Sequence, residues 1–548
     1  MTSGAVPYLT SAKAIVECMK LEGVSHVFCV PGESYLPVMD AIYDEPAISL
    51  IAARHEGGAA FMAEGYAKAS GKPGVVMATR GVGGSNLSIG VHTACQDSTP
   101  LVVFLGQVHS GFRGREGFQE VDLDNFFGPI SKWAVEIKDA ARVPELVQRA
   151  FRIAKTGRPG PVVISLPEDL LEKKARMEYG KPIVRPSPSP GPAELAAIDQ
   201  LLRTANRPLL IAGGGVKSAD GEQALIHFAE KFDIPVMAAF RRHDVFPNHH
   251  PLYVGHLGLG MDKSLLESVR KADTILAVGT RLSEVTTQDY SIISNNQKLI
   301  HIDIDADTLG KVYPPDVGVV ADAKEALEKL AGLERSKSWY GWFIERRQAY
   351  VDSLQADKHT VNHAIVSILQ EQLPPETVIT NDAGNFAGWL HVFYQFKQKK
   401  TYIGPTSGAM GYGLPSALGA KLAEPGRPVV SLSGDGGFMM TMQELETAVR
   451  YKIPVVSIVF NNRMYGTIRM HQELHYPNRK IGTDLGDVPF ADIAEKIGAV
   501  GFSVKTPEAF KQVLIKALKS NGPVVIEVET DPDQISVFHS IHKISGRA

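Results

Sequence analysis

Asp435 stands among glycines, Gly434-Asp435-Gly436-Gly437, at the end of the apolar run PVVSLSG, and Asn461-Asn462 closes the next such run, PVVSIVF. A carboxylate and an amide oxygen are ligand types that a hard divalent cation such as Mg²⁺ takes, with phosphate oxygens and water completing an octahedron. The glycines let backbone approach a phosphate closely, and a helix start behind them offers free N–H groups and its positive end. A tight turn with the aspartate capping a helix is the plain alternative for the triplet alone. The asparagine pair argues against it. The 27 positions from Asp435 to Asn462 read as the helix and second strand of a unit that the run before Asp435 opens. A right-handed βαβ unit puts both residues at carboxyl ends of neighbouring parallel strands, the rim where open α/β sheets bind ligands.

Other residues carry weaker signals. Glu56, in RHEGGAAFMAEGYAK, is set among small and apolar residues at an expected helix start. A carboxyl in such a pocket has a raised pKa suited to proton transfer, although a glutamate also favours a helix N-terminus on its own account. Arg113 and Arg115 in FRGREGFQE are able to grip a carboxylate or phosphate, or simply face solvent. Ile211-Ala212-Gly213-Gly214-Gly215 follows an expected strand and has the form of a loop that admits a dinucleotide phosphate. His539 and His542 lie in a tail that is either a lid over the site or an unordered end.

These residues need a scaffold, and the chain supplies one of ordinary composition. It has 548 residues, 21% charged and 44% hydrophobic, with a net charge of −3. That length suits about three domains, and the balance of charge gives no footing for a nucleic-acid partner. Cys18, Cys29 and Cys95 lack metal-ligand spacing and read as reduced thiols of a cytoplasmic protein. The first twenty residues lack the pattern of a secretory signal, and no apolar run reaches the ~20 residues of a membrane span. Strand-like and helix-like segments alternate throughout, so the fold class is α/β with parallel sheets flanked by helices. VSHVFCVPG, ISLIAA, GVVMATRG and LVVFLGQ are strands of a first block, residues 1–180. The proline- and serine-rich connector VRPSPSPGP leads to a central block, 190–335, with strands PLLIAGGG, IPVMAAF, TILAVGT and KLIHIDID. A third block, 355–548, holds ETVITNDAG, PVVSLSG, PVVSIVF and PVVIEVE, and its helix is expected over 441–451.

Gly434-Asp435-Gly436 ending in Asn461-Asn462 resembles the thiamine-diphosphate motif of the enzymes typified by acetolactate synthase and pyruvate decarboxylase. The resemblance implies that Asp435 and Asn462 are side-chain ligands of Mg²⁺, that the Met464 carbonyl is the third, and that Tyr465 and Gly466 adjoin the cofactor. It implies contacts to the same diphosphate from Gly384 and Asn385, where Asn385-Phe386 departs from the usual Gly-Gln-His pattern. His55-Glu56 followed by GYAKASGKPGVVMATRG is similar to the family's pyrimidine-domain signature. Glu56 is thereby implied to hold the aminopyrimidine ring in the tautomer that activates the thiazolium. Arg80 to Asn86 matches a Ser-Gly-Pro-Gly-Ala-Thr-Asn loop with Val82 in place of proline, and Val82 and Asn86 are implied cofactor contacts. Ser407 to Pro415 resembles the segment that bends the cofactor, Met410 being the apolar wedge and the Gly408 carbonyl an acceptor.

The resemblance spans nearly the whole chain, with pyrimidine-binding, central and diphosphate-binding domains in order. Acetolactate synthases give the nearest pattern: Gly106-Gln107-Val108 and Gly117 to Val121 match their substrate-side loop, so Phe118, Gln119 and Lys132 are expected around the substrate. The implied reaction is decarboxylation of a 2-oxo acid such as pyruvate to an enamine, then addition to a second carbonyl. A 2-oxo acid decarboxylase, a 2-hydroxyacyl-CoA lyase and a catalytically silent regulatory subunit are the alternatives; Glu56, Asp435 and Asn462 argue against the last. His471 replaces the tryptophan that acetolactate synthases carry after the metal loop, which opens the choice of second substrate. FAD is a candidate occupant of the central domain, with an empty structural domain as the alternative. The resemblance further implies a homodimer or homotetramer in which Glu56 of one subunit meets Asp435 of another.

Overall fold

The computed structural model describes residues 6–355 and 360–546. The expected start of the third domain near 355 abuts positions outside that range, as do the chain ends.

Three six-stranded sheets, every neighbour pair parallel, make up the scaffold. The first contains β1 (His26–Cys29), β2 (Ser49–Ala52), β3 (Gly74–Thr79), β4 (Leu101–Gln107), β5 (Trp133–Glu136) and β6 (Pro161–Pro167), in the order β2-β1-β3-β4-β6-β5. The second contains β7 (Pro208–Ala212), β8 (Val236–Ala238), β9 (Tyr253–His256), β10 (Thr274–Val278), β11 (Lys298–Asp303) and β12 (Val317–Val320), in the order β9-β8-β7-β10-β11-β12. The third contains β13 (Val378–Asn381), β14 (Tyr402–Ile403), β15 (Val429–Gly434), β16 (Val456–Asn461), β17 (Val500–Val504) and β18 (Val524–Glu529), in the order β14-β13-β15-β16-β18-β17. First and third sheets therefore share one topology, and the central sheet has the doubly wound dinucleotide-fold order. Inner strands such as β4 and β6 are buried at every position, as parallel strands covered by helices on both faces must be.

Two helices join the first and third sheets. They are α1 (Glu56–Ser70), followed in its own sheet by α2 (Arg80–Asp97), and the third-domain helix Gly413–Ala423. Between α1 and that partner the backbones touch: a Cβ at Gly419 would stand 1.9 Å from the Met62 carbonyl oxygen, and one at Gly65 2.3 Å from that of Ser416. Phe61, Met62, Tyr412, Leu418 and Leu445 share one hydrophobic cluster across this seam. Trp339, Trp342, Phe343 and Tyr350, from the segment α3 (Tyr340–Ser353) and its approach, pack into the central core. None of the described helices is long and apolar enough to cross a membrane.

Between the central and third sheets lies a buried stack of imidazoles. The His243 ring is 4.4 Å from that of His391 and 4.5 Å from that of His256, and His391 Nε2 meets the Tyr402 hydroxyl at 2.9 Å. Arg241, Lys217 and Asp244 are the charged groups around them. Burial, reinforced by neighbouring histidines and Arg241, holds His243 and His391 well below the usual imidazole range, and burial holds His256 at about 4. Histidines kept neutral in the fold but free to protonate when unfolded contribute stability that is complete above pH ~6.5 and is lost as pH falls. Asp382 and Asp435, each pushed up to about 6 by burial, act in the opposite sense over part of the same range. For His256 alone the downward shift corresponds to about 3 kcal/mol. Thermal unfolding temperature should therefore drop between pH 6.5 and 4, and His256→Gln should flatten that dependence; an equally steep profile in the variant would contradict it.

Candidate active site

Two rims carry the candidate residues. On the first sheet, Glu56 opens α1 just past β2, with the His55 ring capping the helix by accepting from Gly57 N at 3.0 Å. Glu56 is buried, and its Oε2 accepts from Asn86 Nδ2 at 3.0 Å. The segment 80–86, which sequence suggests is a loop, is the first turns of α2. Glycine replaces bulk where the carboxylate lies, since a Cβ at Gly83 would be 3.2 Å from Glu56 Oε1. Gly81 N donates to the Gln119 carbonyl at 3.0 Å and the Arg80 guanidinium to that of Phe118 at 3.3 Å, which brings Phe118, Gln119 and Val82 to the same rim. Arg80 and Gln119 adopt positive φ, 41° and 64°, a cost of the kind that accumulates at functional sites.

Arg113 is not a free anion grip, because it pairs with Glu120 and Glu136, each at 3.0 Å. Lys132 does not line this rim through its ammonium. Its Nζ donates to the carbonyls of Ile153 and Thr156, at the C-terminal end of the helix Val143–Lys155, where unsatisfied carbonyls attract a cation.

The second rim lies at the carboxyl ends of β13, β15 and β16, and the first two are where the strand order of the third sheet reverses. The helix expected over 441–451 is found as α5 (Glu444–Arg450), and ahead of it stands α4 (Asp435–Thr441), which starts on the aspartate itself. Gly436 and Gly437 thus form its first turn. A Cβ at Gly436 would be 2.6 Å from the Tyr465 ring, and one at Gly437 2.7 Å from Asp382 Oδ2, so Tyr465 and Asp382 close over the turn from either side. Gly434 ↔ Phe460 register sets Asp435 beside Asn461, and the backbone N–H groups of Gly436, Arg463 and Met464 face its carboxylate. Asn462 Oδ1 accepts from Met464 N at 3.2 Å across Arg463, whose φ is +58°. Gly466 begins α6 (Gly466–His475).

Asp435 has no ion-pair partner among the described residues, and burial pushes it up to about 6. A cation would reverse that shift, which is the condition of a carboxylate fitted to a metal rather than to a salt bridge. No cluster of three His, Cys, Asp or Glu side chains suited to a metal occurs among the described residues, and the candidate set here is instead one carboxylate, one amide and one carbonyl. The residues present fit a magnesium diphosphate.

Gly384 and Asn385 follow β13. Asn385 spends its amide on Thr467 Oγ1 at 3.0 Å and on the Ile535 carbonyl at 2.9 Å, and Phe386 stacks on Phe460. The tail crosses this corner with Ile535 and Val537 buried, and His542 pairs with Asp533. His471 is exposed on α6, its ring parallel to that of His475. Gly408 lies exposed and Met410 half-buried on the loop before Gly413. Within one chain no hydrogen bond or ion pair among the described residues joins Glu56 to Asp435.

Two further acids hold this junction together. Asp382 is fully buried and accepts from Ala383 N at 2.7 Å and Gly411 N at 3.1 Å, tying two rim segments together. Glu444 accepts from His55 N at 3.0 Å and Arg54 N at 3.1 Å, fixing the turn that presents Glu56 from the third domain of the same chain. Asp382 shares with Asp435 the signal of an acid directly after a buried strand; Glu444 has no local signal, since its partners are 389 and 390 positions away.

In the central sheet the glycine loop after β7 is closed on its neighbour. Gly213 N donates to the Val278 carbonyl at 2.9 Å and Gly215 N to that of Gly279 at 2.8 Å, so two of its donors serve the fold rather than a dinucleotide phosphate.

Comparison with known proteins matches this architecture domain by domain. The models for the thiamine pyrophosphate enzyme N-terminal TPP binding domain, central domain and C-terminal TPP binding domain match residues 9–126, 195–330 and 382–528. The chain belongs to the thiamine pyrophosphate enzyme family. Within it the chain is acetolactate synthase-like. It is 34% identical to the probable acetolactate synthase large subunit of Methanocaldococcus jannaschii, over 96% of this chain and 92% of that protein. It is 33% identical to the acetolactate synthase large subunit of Haemophilus influenzae, over 96% and 95%. Its identity to the Escherichia coli acetolactate synthase isozyme 3 large subunit is 32%, over 95% of each chain.

Proposed function

We propose that this thiamine-diphosphate-dependent enzyme decarboxylates a 2-oxo acid such as pyruvate and joins the resulting two-carbon unit to a second carbonyl, as an acetolactate-forming carboligase. The observation that carries the reading is the buried, unpaired Asp435 just past β15, with Asn461-Asn462 at the end of the adjoining strand β16. Asp435, Asn462 and the Met464 carbonyl would hold Mg²⁺. Gly384, Asn385, Gly434, Gly436, Gly437, Tyr465 and Gly466 would surround the diphosphate, and Gly408 and Met410 the rings. When bound, thiamine diphosphate supplies a centre that stabilises a carbanion, chemistry no side chain offers. Glu56, oriented by Asn86, would hold a proton at its carboxylate on the pyrimidine side, with Val82 on the same rim. Gln119 and Phe118 line the substrate side.

The three sheets correspond to pyrimidine-binding (1–180), central (190–335) and diphosphate-binding (355–548) domains. A second copy of the chain completes the site, in a homodimer or a homotetramer built from it. Val82, Phe118, Met439, Met440 and Ile468 are 46–71% exposed, an apolar cost on the rims that such a copy would remove. Three free cysteines agree with a cytoplasmic location. FAD is a candidate occupant of the central domain, where two backbone donors of the glycine loop, those of Gly213 and Gly215, serve Val278 and Gly279.

The test is the product formed from pyruvate by purified enzyme with Mg²⁺ and thiamine diphosphate. Acetolactate supports carboligation. Acetaldehyde would shift the reading to a 2-oxo acid decarboxylase, and formation of neither product to a 2-hydroxyacyl-CoA lyase or to a different substrate.

A further inference from the structure

A buried cluster of charges ties the loop 404–412 of the third domain to the first. Glu64 and Lys68 stand one turn apart on α1, Asp97 ends α2, and Arg242 follows β8. Lys68 Nζ lies 2.8 Å from Glu64 Oε1 and 2.8 Å from Asp97 Oδ2, and an Arg242 guanidinium nitrogen lies 3.3 Å from Asp97 Oδ1. Both acid side chains are fully buried.

Three of the four members reach the loop or its anchor, and Arg242 joins them through Asp97. Lys68 Nζ donates to the Gly404 carbonyl at 3.2 Å, Asp97 Oδ1 accepts from Thr406 N at 3.0 Å, and the Tyr412 hydroxyl donates to Glu64. Two hydroxyls add to this, Thr406 Oγ1 donating to the Gln96 carbonyl at 3.2 Å and Ser407 Oγ meeting Thr93 Oγ1 at 3.0 Å. From the other flank Asp382 accepts from Gly411 N at 3.1 Å, and Thr441 Oγ1 donates to the Gly411 carbonyl at 2.7 Å. Both ends of the loop are held, and Gly408 to Met410 form the tip between them, with φ of +70° at Gly408 and +80° at Gly411.

Two acids and two bases balance, and buried ion pairs add little net stability over an apolar filling of the same space. What such a cluster does supply is a fixed geometry for the groups it touches. We propose that Lys68, with Glu64 and Asp97, is a positioning residue for the reaction, acting through the loop that presents Gly408 and Met410 to the cofactor. This rests on the functional reading above. The cluster acts from one domain on a segment of another, so it also makes the shape of the cofactor site depend on how α1 seats against the third domain.

Full-length Lys68→Met, Lys68→Arg and a Thr93→Val/Ser407→Ala double variant test it. In cofactor-free protein, hydrogen exchange of the 404–412 amides should rise about 10-fold in Lys68→Met while the sheets stay protected. In the presence of Mg²⁺ and thiamine diphosphate its kcat on pyruvate should fall about 100-fold, the scale of a misplaced reacting group, with KM nearly unchanged. Lys68→Arg should restore most of both. Should Lys68→Met not fold, the double variant carries the same comparison, with looser 404–412 exchange and lowered kcat at an unchanged melting temperature. A lowered melting temperature with ordinary loop exchange and full kcat per folded chain would overturn the proposal. Exchange is read without cofactor, so the two levels separate. A working wild type whose loop ignores these substitutions overturns this inference alone, whereas a wild type without turnover, its loop still dependent on Lys68, overturns the functional reading beneath it.

Discussion

Glu56→Gln is expected to lower kcat about 100- to 10 000-fold, the range that a positioned acid–base group supplies, while thiamine diphosphate is still taken up. The amide keeps the shape of the side chain and an oxygen able to accept from Asn86 Nδ2, now at 3.0 Å from Glu56 Oε2. Helix α1 loses a favourable charge at its N-terminus, worth about 0.3–1 kcal/mol, so the fold survives. What the amide cannot do is exchange a proton. Steady-state kinetics alongside calorimetric cofactor binding separate these effects, and unchanged turnover would remove Glu56 from the chemistry.

The opposite pattern is expected of Asp435→Ala. Metal and cofactor binding should vanish together, because the substitution removes the only acid in the proposed ligand set. The wild-type enzyme at a cofactor concentration about 100-fold above Kd gains about 2.7 kcal/mol of stability by mass action, and the variant should gain none. Ligand-free, the sign reverses. Burial raises the Asp435 pKa from 3.8 to about 6, so the ionised carboxylate costs the fold up to about 3 kcal/mol above pH 6. The alanine variant should be at least as stable as wild type at pH 7 without ligands. A thermal melt with and without Mg²⁺ and thiamine diphosphate checks both halves, and a retained ligand shift in the variant would refute the assignment of Asp435.

Much of this was legible in the sequence because inner parallel strands are continuous apolar runs. PVVSLSG and PVVSIVF are found as β15 and β16, and the residues behind them fall on one rim. Four edge strands were not legible: Trp133–Glu136, Val317–Val320 and Val500–Val504 are only partly buried, and Tyr402–Ile403 has two residues. Pairing with a neighbour, not an apolar pattern of their own, makes them strands. Glycine-rich stretches misled in the same way. Sequences around Gly81–Gly84 and Gly436–Gly437 read as loops by propensity, yet both are helical, with Gln119, Tyr465 and Asp382 leaving little room for a side chain at Gly81, Gly436 and Gly437. Glu444 and the Lys68 cluster join positions hundreds of residues apart, and nothing local announces them.

The most direct test of the account is calorimetric titration of thiamine diphosphate into the full-length protein, with Mg²⁺ and then with a chelator. One cofactor should bind per chain with the metal and none without it. No uptake in the presence of Mg²⁺, or equal uptake under chelation, would contradict it.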